Sequence, residues 1–422
     1  MPHILELPNE ITGLILDELC CPEEFDELDD FIEWQVPLML TCRRFRKLVL
    51  PRLYSACFMS FGIVGTEFRA VLSDDSARHI WHVRESCPEY GTLVKSLKLA
   101  IGGRFPVKGT VLDETEDFEQ TRSLQSVLGW FVPRSNVLKR VWLRRHFDIG
   151  ENSNLFDFCD AIRMVLSCSS LKELSLRIKF HNSDRETWEA EGRNISLGGS
   201  SAKLNTLDLS FYESKWTIED AFQPVFGWLM GILIDLLEVP CQSVSSLCFS
   251  YGTTRFKESC NRSRLPDPIE YEGKIPNTTG RWLKFPSVKT LKVEMCRAGR
   301  WMFEQHINLG LGGIKSLTLS SPYDGVSESD ATFMMKFKNL AFLHIQDPTC
   351  DGFAEWTTQT FLLSRACLSF REGTLYARFS ASDPKVVRFM KDRGDEYNAR
   401  IKSSEDPASE GFNLSIYPPR AN

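Results

Sequence analysis

A six-position pattern of apolar residues recurs along most of the chain. Each copy reads apolar-x-x-apolar-x-apolar, and the alternation at its end is typical of a strand with one buried face. Residues 171–176 read Leu-Lys-x-Leu-x-Leu, and residues 138–143 and 288–293 are similar. The pattern therefore predicts eight short strands, with apolar positions at Val94/Leu97/Leu99, Leu138/Val141/Leu143, Leu171/Leu174/Leu176, Leu204/Leu207/Leu209, Val244/Leu247/Phe249, Val288/Leu291/Val293, Ile314/Leu317/Leu319 and Leu340/Leu343/Ile345.

The spacing of these strands suggests a repeat protein. Successive central positions are 44, 33, 33, 40, 44, 26 and 26 residues apart, and the shortest spacings fall in the range of leucine-rich repeats. Helical stretches separate the strands, such as 156–166, where Phe158, Ile162 and Val165 share a face. We expect an α/β solenoid, a leucine-rich-repeat-like horseshoe of parallel strands. A doubly wound α/β domain is the alternative, and the repeated motif favours the solenoid.

The N-terminal segment has a helical pattern instead. Pro8 is suited to a first helical turn, and apolar residues follow at helical spacing as far as Leu19. A second apolar set, over residues 36–53, shares its stretch with a basic cluster at residues 43–47. Short helices with more apolar surface than they can bury on one another are typical of a docking module.

This segment resembles the F-box, the small all-α module by which substrate receptors bind the Skp adaptor of cullin ubiquitin ligases. The resemblance rests on Leu7-Pro8-x-Glu10-Ile11, on Leu38-x-Leu40-Thr41-Cys42-Arg43-Arg44-Phe45 and on Leu50-Pro51-x-Leu53-Tyr54, an ending similar to that of fungal F-box proteins. An acidic stretch over residues 23–30 departs from the pattern. The resemblance implies that the adaptor-binding residues are Leu7, Pro8, Ile11, Ile15, Leu16, Leu19, Leu40 and Phe45. The alternative is an amphipathic helical hairpin that packs on the following domain.

A candidate recognition surface lies on the predicted strands. Residues that alternate with the buried ones face the concave side of a solenoid. In the first third of the repeats this row is basic around one aromatic residue, with Lys98, Arg140, Trp142, Arg144 and Arg177. Guanidinium groups beside a tryptophan suit an acidic or phosphorylated protein segment. Alternatively, Trp142 packs under the loop over residues 101–120 and the arginines pair with its acidic residues.

Composition narrows the classes of function. A net charge of −6 gives no reason to expect binding to nucleic acid or to a membrane surface. The N-terminus lacks the basic region of a secretory signal, and thirteen cysteines form no regular framework, so we expect reduced thiols in the cytoplasm or nucleus. His79, His82 and Cys87 only weakly suggest zinc, and the enzyme signatures that we sought are missing. We expect no cofactor, no metal and no catalytic residues.

These observations suggest three regions: an F-box over residues 1–55, a leucine-rich-repeat-like domain over 56–380 and a partly disordered C-terminal tail over 381–422. The expected function is the substrate-recognition subunit of a Skp–cullin–F-box ubiquitin ligase, with a protein substrate on the repeats. It would be a receptor and not an enzyme. The alternatives are an F-box adaptor that works without a cullin, a plain repeat scaffold whose N-terminal helices cap the solenoid, and an enzyme with scattered catalytic residues.

Overall fold

The structure is a computed structural model in which the chain forms two compact units. The first unit comprises residues 1–179 and 186–203, and the second comprises 180–185 and 204–422. The structure describes residues 7–19, 35–64, 67–71, 92–101, 124–134, 136–146, 155–180, 200–213, 225–253, 281–295, 303, 306–320, 336–347, 372–377, 391, 400–403 and 412–416.

Helices open the first unit. They are α1 (Asn9–Leu19), α2 (Gln35–Thr41) and α3 (Arg43–Leu53). Helix α3 begins directly after Cys42, an extended residue whose Sγ accepts the Phe45 N–H at 3.5 Å. A thiol is a weak acceptor, but it partly satisfies an N–H group that has no partner within the first turn. Pro51 lies in the last turn of α3, and the chain enters its first strand three residues after the helix ends.

The sheet of the first unit is built mainly from parallel strands. These are β1 (Ala56–Val64), β3 (Ser96–Ile101), β4 (Arg140–His146) and β5 (Glu173–Phe180), paired in that order, with β2 (Glu67–Val71) antiparallel at the edge. Helix α4 (Leu124–Arg134) connects β3 to β4, and α5 (Leu155–Leu166) connects β4 to β5. Parallel neighbours need such crossover connections, and helices commonly supply them.

The second unit repeats this organisation. Its parallel strands are β6 (Thr206–Glu213), β7 (Ser246–Thr253), β9 (Thr290–Met295), β11 (Ser316–Ser320), β12 (Phe342–Asp347) and β13 (Glu372–Ala377), paired in that order. Helix α6 (Val225–Leu237) connects β6 to β7. Strands β8 (Leu283–Phe285) and β10 (Ile307–Leu309) form a separate parallel pair. In the sequence, β8 comes directly before β9, and β10 comes directly before β11.

The core confirms the predicted burial of the strands. Leu174, Leu207, Leu291 and Leu317 are each at most 1 % exposed. The predicted helix over 156–166 is α5, and its Phe158, Ile162, Val165 and Leu166 are likewise buried. Strands with one buried face and helices with one buried stripe form an α/β architecture, as the sequence indicated.

A ladder of backbone hydrogen bonds runs along the starts of the strands. The carbonyl of the residue before one strand accepts two N–H groups from the beginning of the next. Lys95 O accepts from Lys139 N at 2.8 Å and from Arg140 N at 3.1 Å, and Lys139 O accepts in turn from Lys172 and Glu173. The second unit has the same ladder through Asn205, Ser245, Lys289, Lys315 and Ala341. Within each unit, the ladder holds successive parallel strands in one register.

Small polar side chains satisfy carbonyls in the turns beside this ladder. Ser170 Oγ donates to Leu138 O at 2.9 Å, and Ser243 Oγ donates to Leu204 O at 2.8 Å. Asn339 Nδ2 donates to Gly312 O at 2.6 Å. Each of these bonds joins residues 27 to 39 positions apart, so the side chains connect successive turns by satisfying a backbone carbonyl.

Several strands were missed by the sequence pattern. Strand β1 has Cys57 and Met59 in register with Leu97 and Leu99, and β13 has Gly373 in register with Leu343. The described residues of the predicted C-terminal tail, over 381–422, include two further strands. These are β14 (Arg400–Ser403) and β15 (Phe412–Ile416), which extend the sheet by antiparallel pairing of β15 with β13 and β14.

We expect Leu207→Ala to destabilise the second unit strongly. The side chain is fully buried in β6, and large-to-small substitutions at such sites cost about 2–5 kcal/mol. The matched control is Thr206→Ala, which changes the neighbouring residue on the opposite face and should cost less than about 1 kcal/mol. Urea unfolding monitored by circular dichroism measures both. Equal shifts of the two midpoints would contradict the assignment of the buried face.

Candidate functional site

The helices α1 and α3 are held together by a small apolar core. It consists of Leu16 from α1 and Phe45 and Val49 from α3, with Leu38 of α2 packed against them. Leu16 is 3 % exposed, Phe45 is 6 % exposed and Val49 is fully buried. The adaptor-binding set predicted from the sequence includes Leu16 and Phe45, and the structure places both side chains in the contact between the helices.

Two arginines of α3 bind α1 and the residue that lies two positions before it. Arg44 donates from Nη2 to Leu7 O and from Nε to Asn9 Oδ1 at 2.8 Å. Arg52 donates from Nη2 to Gly13 O at 3.0 Å. A Cβ atom at Gly13 would lie 3.3 Å from the same Nη2 atom. A glycine at this position therefore allows the guanidinium to approach the helix closely.

Several other apolar residues in the described part of these helices are exposed. Ile11 is 44 % exposed, Leu14 is 65 % exposed and Leu40 is 80 % exposed. Pro8 is also exposed, and Leu7 and Ile15 are half-buried. The side chain of Leu19 lies outside the described residues. We call Pro8, Ile11, Leu14 and Leu40 the helical docking surface.

Leu14 was absent from the predicted adaptor-binding set, although it belongs to the same apolar run. Periodicity alone places it between the two faces of α1, because apolar residues surround much of this helix. Its 65 % exposure assigns it to the outer face. Three basic residues of α3 are also exposed, Arg43, Arg46 and Lys47, so this end of the unit is apolar with cationic neighbours.

The open face of β3, β4 and β5 brings the predicted recognition residues together. Lys98 is in register with Trp142, and Trp142 is in register with Ser175. One row further along, Arg144 is in register with Arg177. We call Lys98, Arg140, Trp142, Arg144 and Arg177 the basic strand face. The acidic residues over 113–119, expected as an alternative partner of its arginines, lie outside the described residues.

Side chains of the basic strand face differ in their contacts. Lys98 Nζ lies 5.3 Å from the centroid of the Trp142 ring, a cation–π distance. Arg140 Nε is 3.0 Å from Glu173 Oε2, so its charge is offset by a neighbour on the next strand. Trp142 is half-buried, whereas Arg144 and Arg177 are exposed. The tryptophan is thus accessible in part, and two guanidinium groups are fully presented.

The corresponding face of the second unit has a different chemistry. Its middle row follows the register Asp208, Cys248, Lys292, Thr318 and His344 from β6 to β12. Burial and the neighbouring Asp208 raise the pKa of the Cys248 thiol to about 12. Burial and the nearby Lys292 lower the pKa of His344. At neutral pH the row therefore contains a protonated thiol and a neutral imidazole.

This row is not arranged for catalysis by a cysteine–histidine pair. Cys248 and His344 are three strands apart, which is roughly 14 Å at the usual spacing of strands. Proton transfer between two side chains requires hydrogen-bond distance or one bridging water. In the described part of the chain, Cys248 therefore has no histidine base within reach, and burial together with the neighbouring Asp208 keeps its thiol protonated.

Metal ligands and membrane-spanning helices are two other features that bear on function. The described residues contain no group of three or more potential metal ligands, and His79, His82 and Cys87 lie outside them. Among those same residues, no helix has the length and apolarity needed to cross a bilayer. No protein-family model matches the chain, and the search of curated proteins returned no match.

We expect Cys248 to react slowly with iodoacetamide in the folded protein. A thiol pKa near 12 leaves so little thiolate at pH 8 that alkylation should be at least about a hundredfold slower than for an ordinary cysteine. Peptide mass spectrometry over time measures the rate, and the urea-unfolded chain is the control. Alkylation at the same rate in both states would show that Cys248 is exposed and activated.

Proposed function

We propose that the chain is a substrate receptor of a Skp–cullin–F-box ubiquitin ligase. In this proposal the helical docking surface binds the Skp adaptor, and through it the cullin scaffold. The parallel strands are proposed to be leucine-rich-repeat-like units of a solenoid, which hold a protein substrate in the cytoplasm or nucleus. The receptor makes and breaks no bonds. It raises the effective concentration of a substrate lysine near the conjugating enzyme.

The observation that carries the proposal is that large apolar side chains of the F-box-like helices stay exposed although α1 and α3 already share a buried apolar core. Leu16, Phe45 and Val49 already bury the contact between α1 and α3, yet Ile11, Leu14 and Leu40 remain exposed. Large apolar side chains grouped on a small module mark an interaction site. Together with the F-box-like motifs, this favours the Skp adaptor as the partner.

Arg44 and Arg52 support the same interpretation. They bind carbonyls of Leu7 and Gly13, and Arg44 also binds Asn9. The N-terminal helix is thereby held by backbone contacts together with Leu16. Its outer apolar side chains then need not contribute to the helix–helix contact and are available to a partner.

Replacing Ile11, Leu14 and Leu40 together by alanine should abolish adaptor binding. Anchors of this kind contribute roughly 1–3 kcal/mol each, so the triple variant should bind at least about a hundredfold more weakly. Co-expression with the Skp adaptor followed by copurification and isothermal titration measures the effect. The matched control is Val137→Ala with Val239→Ala, two exposed apolar residues outside the surface. A complex that survives the triple substitution would contradict the docking assignment.

Copurification also separates the proposal from its alternatives. Adaptor and cullin together support the ligase receptor. Adaptor without cullin supports a cullin-independent F-box protein. If neither is captured, the helices cap a repeat scaffold, in which case the outward apolar residues serve another contact.

A further inference from the structure

Arg144 and Arg177 place two like charges side by side. They are in register on β4 and β5, so their Cα atoms are about 4.8 Å apart. Both side chains are exposed, and within the described part of the chain neither forms an ion pair. Like charges opposite one another on neighbouring strands are destabilising. This arrangement gains free energy when an anion binds between the two guanidinium groups.

Nearby cations add to this field. Lys98 lies on the neighbouring strand beside Trp142. The exposed Lys95 and Lys139, with the half-buried Lys172, follow one another along the carbonyl ladder at the strand starts. Arg140 is offset by Glu173. The basic strand face therefore has a local excess of positive charge in a chain whose net charge is −6.

The geometry points to a phosphomonoester as the anion. We propose that Arg144 and Arg177 together bind the phosphate of a phosphorylated serine or threonine in an extended protein segment. This inference rests on the proposed function, in which the repeats hold the substrate. A carboxylate has two oxygens and one charge, and one guanidinium satisfies it in a bidentate contact. A phosphomonoester has three acceptor oxygens and nearly two charges, which match two adjacent guanidinium groups.

Trp142 adds a second recognition element at a defined distance. It lies two residues before Arg144 on β4, and so about 6.8 Å along the strand. Residues i and i+2 of an extended peptide have the same separation and point to the same side. A peptide that runs along β4 can therefore place its phosphate between the arginines and an apolar side chain two residues away at the tryptophan.

A protein segment suits this surface better than a nucleic acid. The basic strand face covers three strands, which is about 10 Å across. A nucleic acid is usually bound through many phosphates along a basic track, and a strongly basic domain is its usual signature. One phosphate site next to one aromatic anchor fits a short peptide motif, with phosphoserine or phosphothreonine and an apolar residue separated by one position.

The test measures peptide binding by the full-length chain. Fluorescein-labelled peptides containing Phe-Ala-pSer or pSer-Ala-Phe are titrated with the protein and followed by fluorescence polarisation. We expect at least one of these two phosphopeptides to bind at least about tenfold more tightly than the same peptide without phosphate. The same difference is expected against the peptide in which Ser is replaced by Glu. Added salt should weaken the binding. Equal binding of the Glu peptide would overturn the assignment to phosphate.

Variants test the two arginines directly. Arg144→Gln with Arg177→Gln should reduce phosphopeptide binding at least about tenfold, whereas Lys289→Gln with Lys315→Gln removes two charges elsewhere and should not. Arg144→Lys with Arg177→Lys keeps the charge but loses the planar fork, so it should bind with intermediate strength. Thermal melts check that all variants fold. Undiminished binding by the glutamine variant would overturn the site.

Two further measurements test competing ligands and distinguish a failure of the phosphate site from a failure of the proposed ligase function. If a single-stranded oligonucleotide binds more tightly than the phosphopeptide, the peptide assignment is overturned. It is also overturned if the chain binds inositol hexakisphosphate but does not bind the phosphopeptide. Skp adaptor copurification is followed in parallel. If the glutamine variant no longer binds the phosphopeptide but still copurifies with the adaptor, the inference is supported. A wild-type chain that binds phosphopeptide but no adaptor would contradict only the ligase function.

Discussion

The backbone ladder at the strand starts is the constraint on which the rest of the structure depends. One carbonyl, such as that of Lys95 or Lys289, accepts N–H groups from two consecutive residues at the start of the next parallel strand. This contact involves no side chain, so it tolerates Lys, Ser, Asn or Ala at the same position. It nevertheless fixes where each strand begins. Insertions of different length between the strands therefore leave the strand register unchanged.

A fixed register turns residues that are far apart in sequence into neighbours. Lys98, Trp142 and Ser175 form one row, and Arg144 with Arg177 continue the next. In the second unit the same geometry produces a row of an acid, a thiol, a lysine, a hydroxyl and an imidazole. The scaffold is alike in the two units, but the exposed chemistry is not. The exposed chemistry of each unit is thus determined by residues that the core does not constrain.

The sequence predicted the regular part of this fold because its apolar positions are chemically uniform. Leu174, Leu207, Leu291 and Leu317 repeat the same residue at the same point of each strand. The pattern failed where the residue type changed, at Cys57 and Met59 in β1 and at Gly373 in β13. Strands β14 and β15 were missed because proline, serine and charge surround them in the sequence.

The candidate surfaces were predictable only in part for a related reason. Periodicity grouped Lys98, Trp142, Arg144 and Arg177 on one face, but the contact of Arg140 with Glu173 depends on the register of β4 and β5. On α1 the sequence could not separate Leu16, which packs inward, from Leu14, which faces outward. Both are leucines in a single apolar run, and only the position of α3 distinguishes them.

The attachment of α1 through its backbone has an evolutionary consequence. Arg44 and Arg52 bind the carbonyl groups of Leu7 and Gly13, and a backbone carbonyl is present whatever the side chain. Side-chain size is restricted only at Gly13, where a Cβ atom would lie 3.3 Å from Arg52 Nη2. Mutations at Ile11 and Leu14 can then accumulate without loosening the helix from α3. The exposed chemistry of α1 can therefore change one residue at a time, while the packing of the helices is retained.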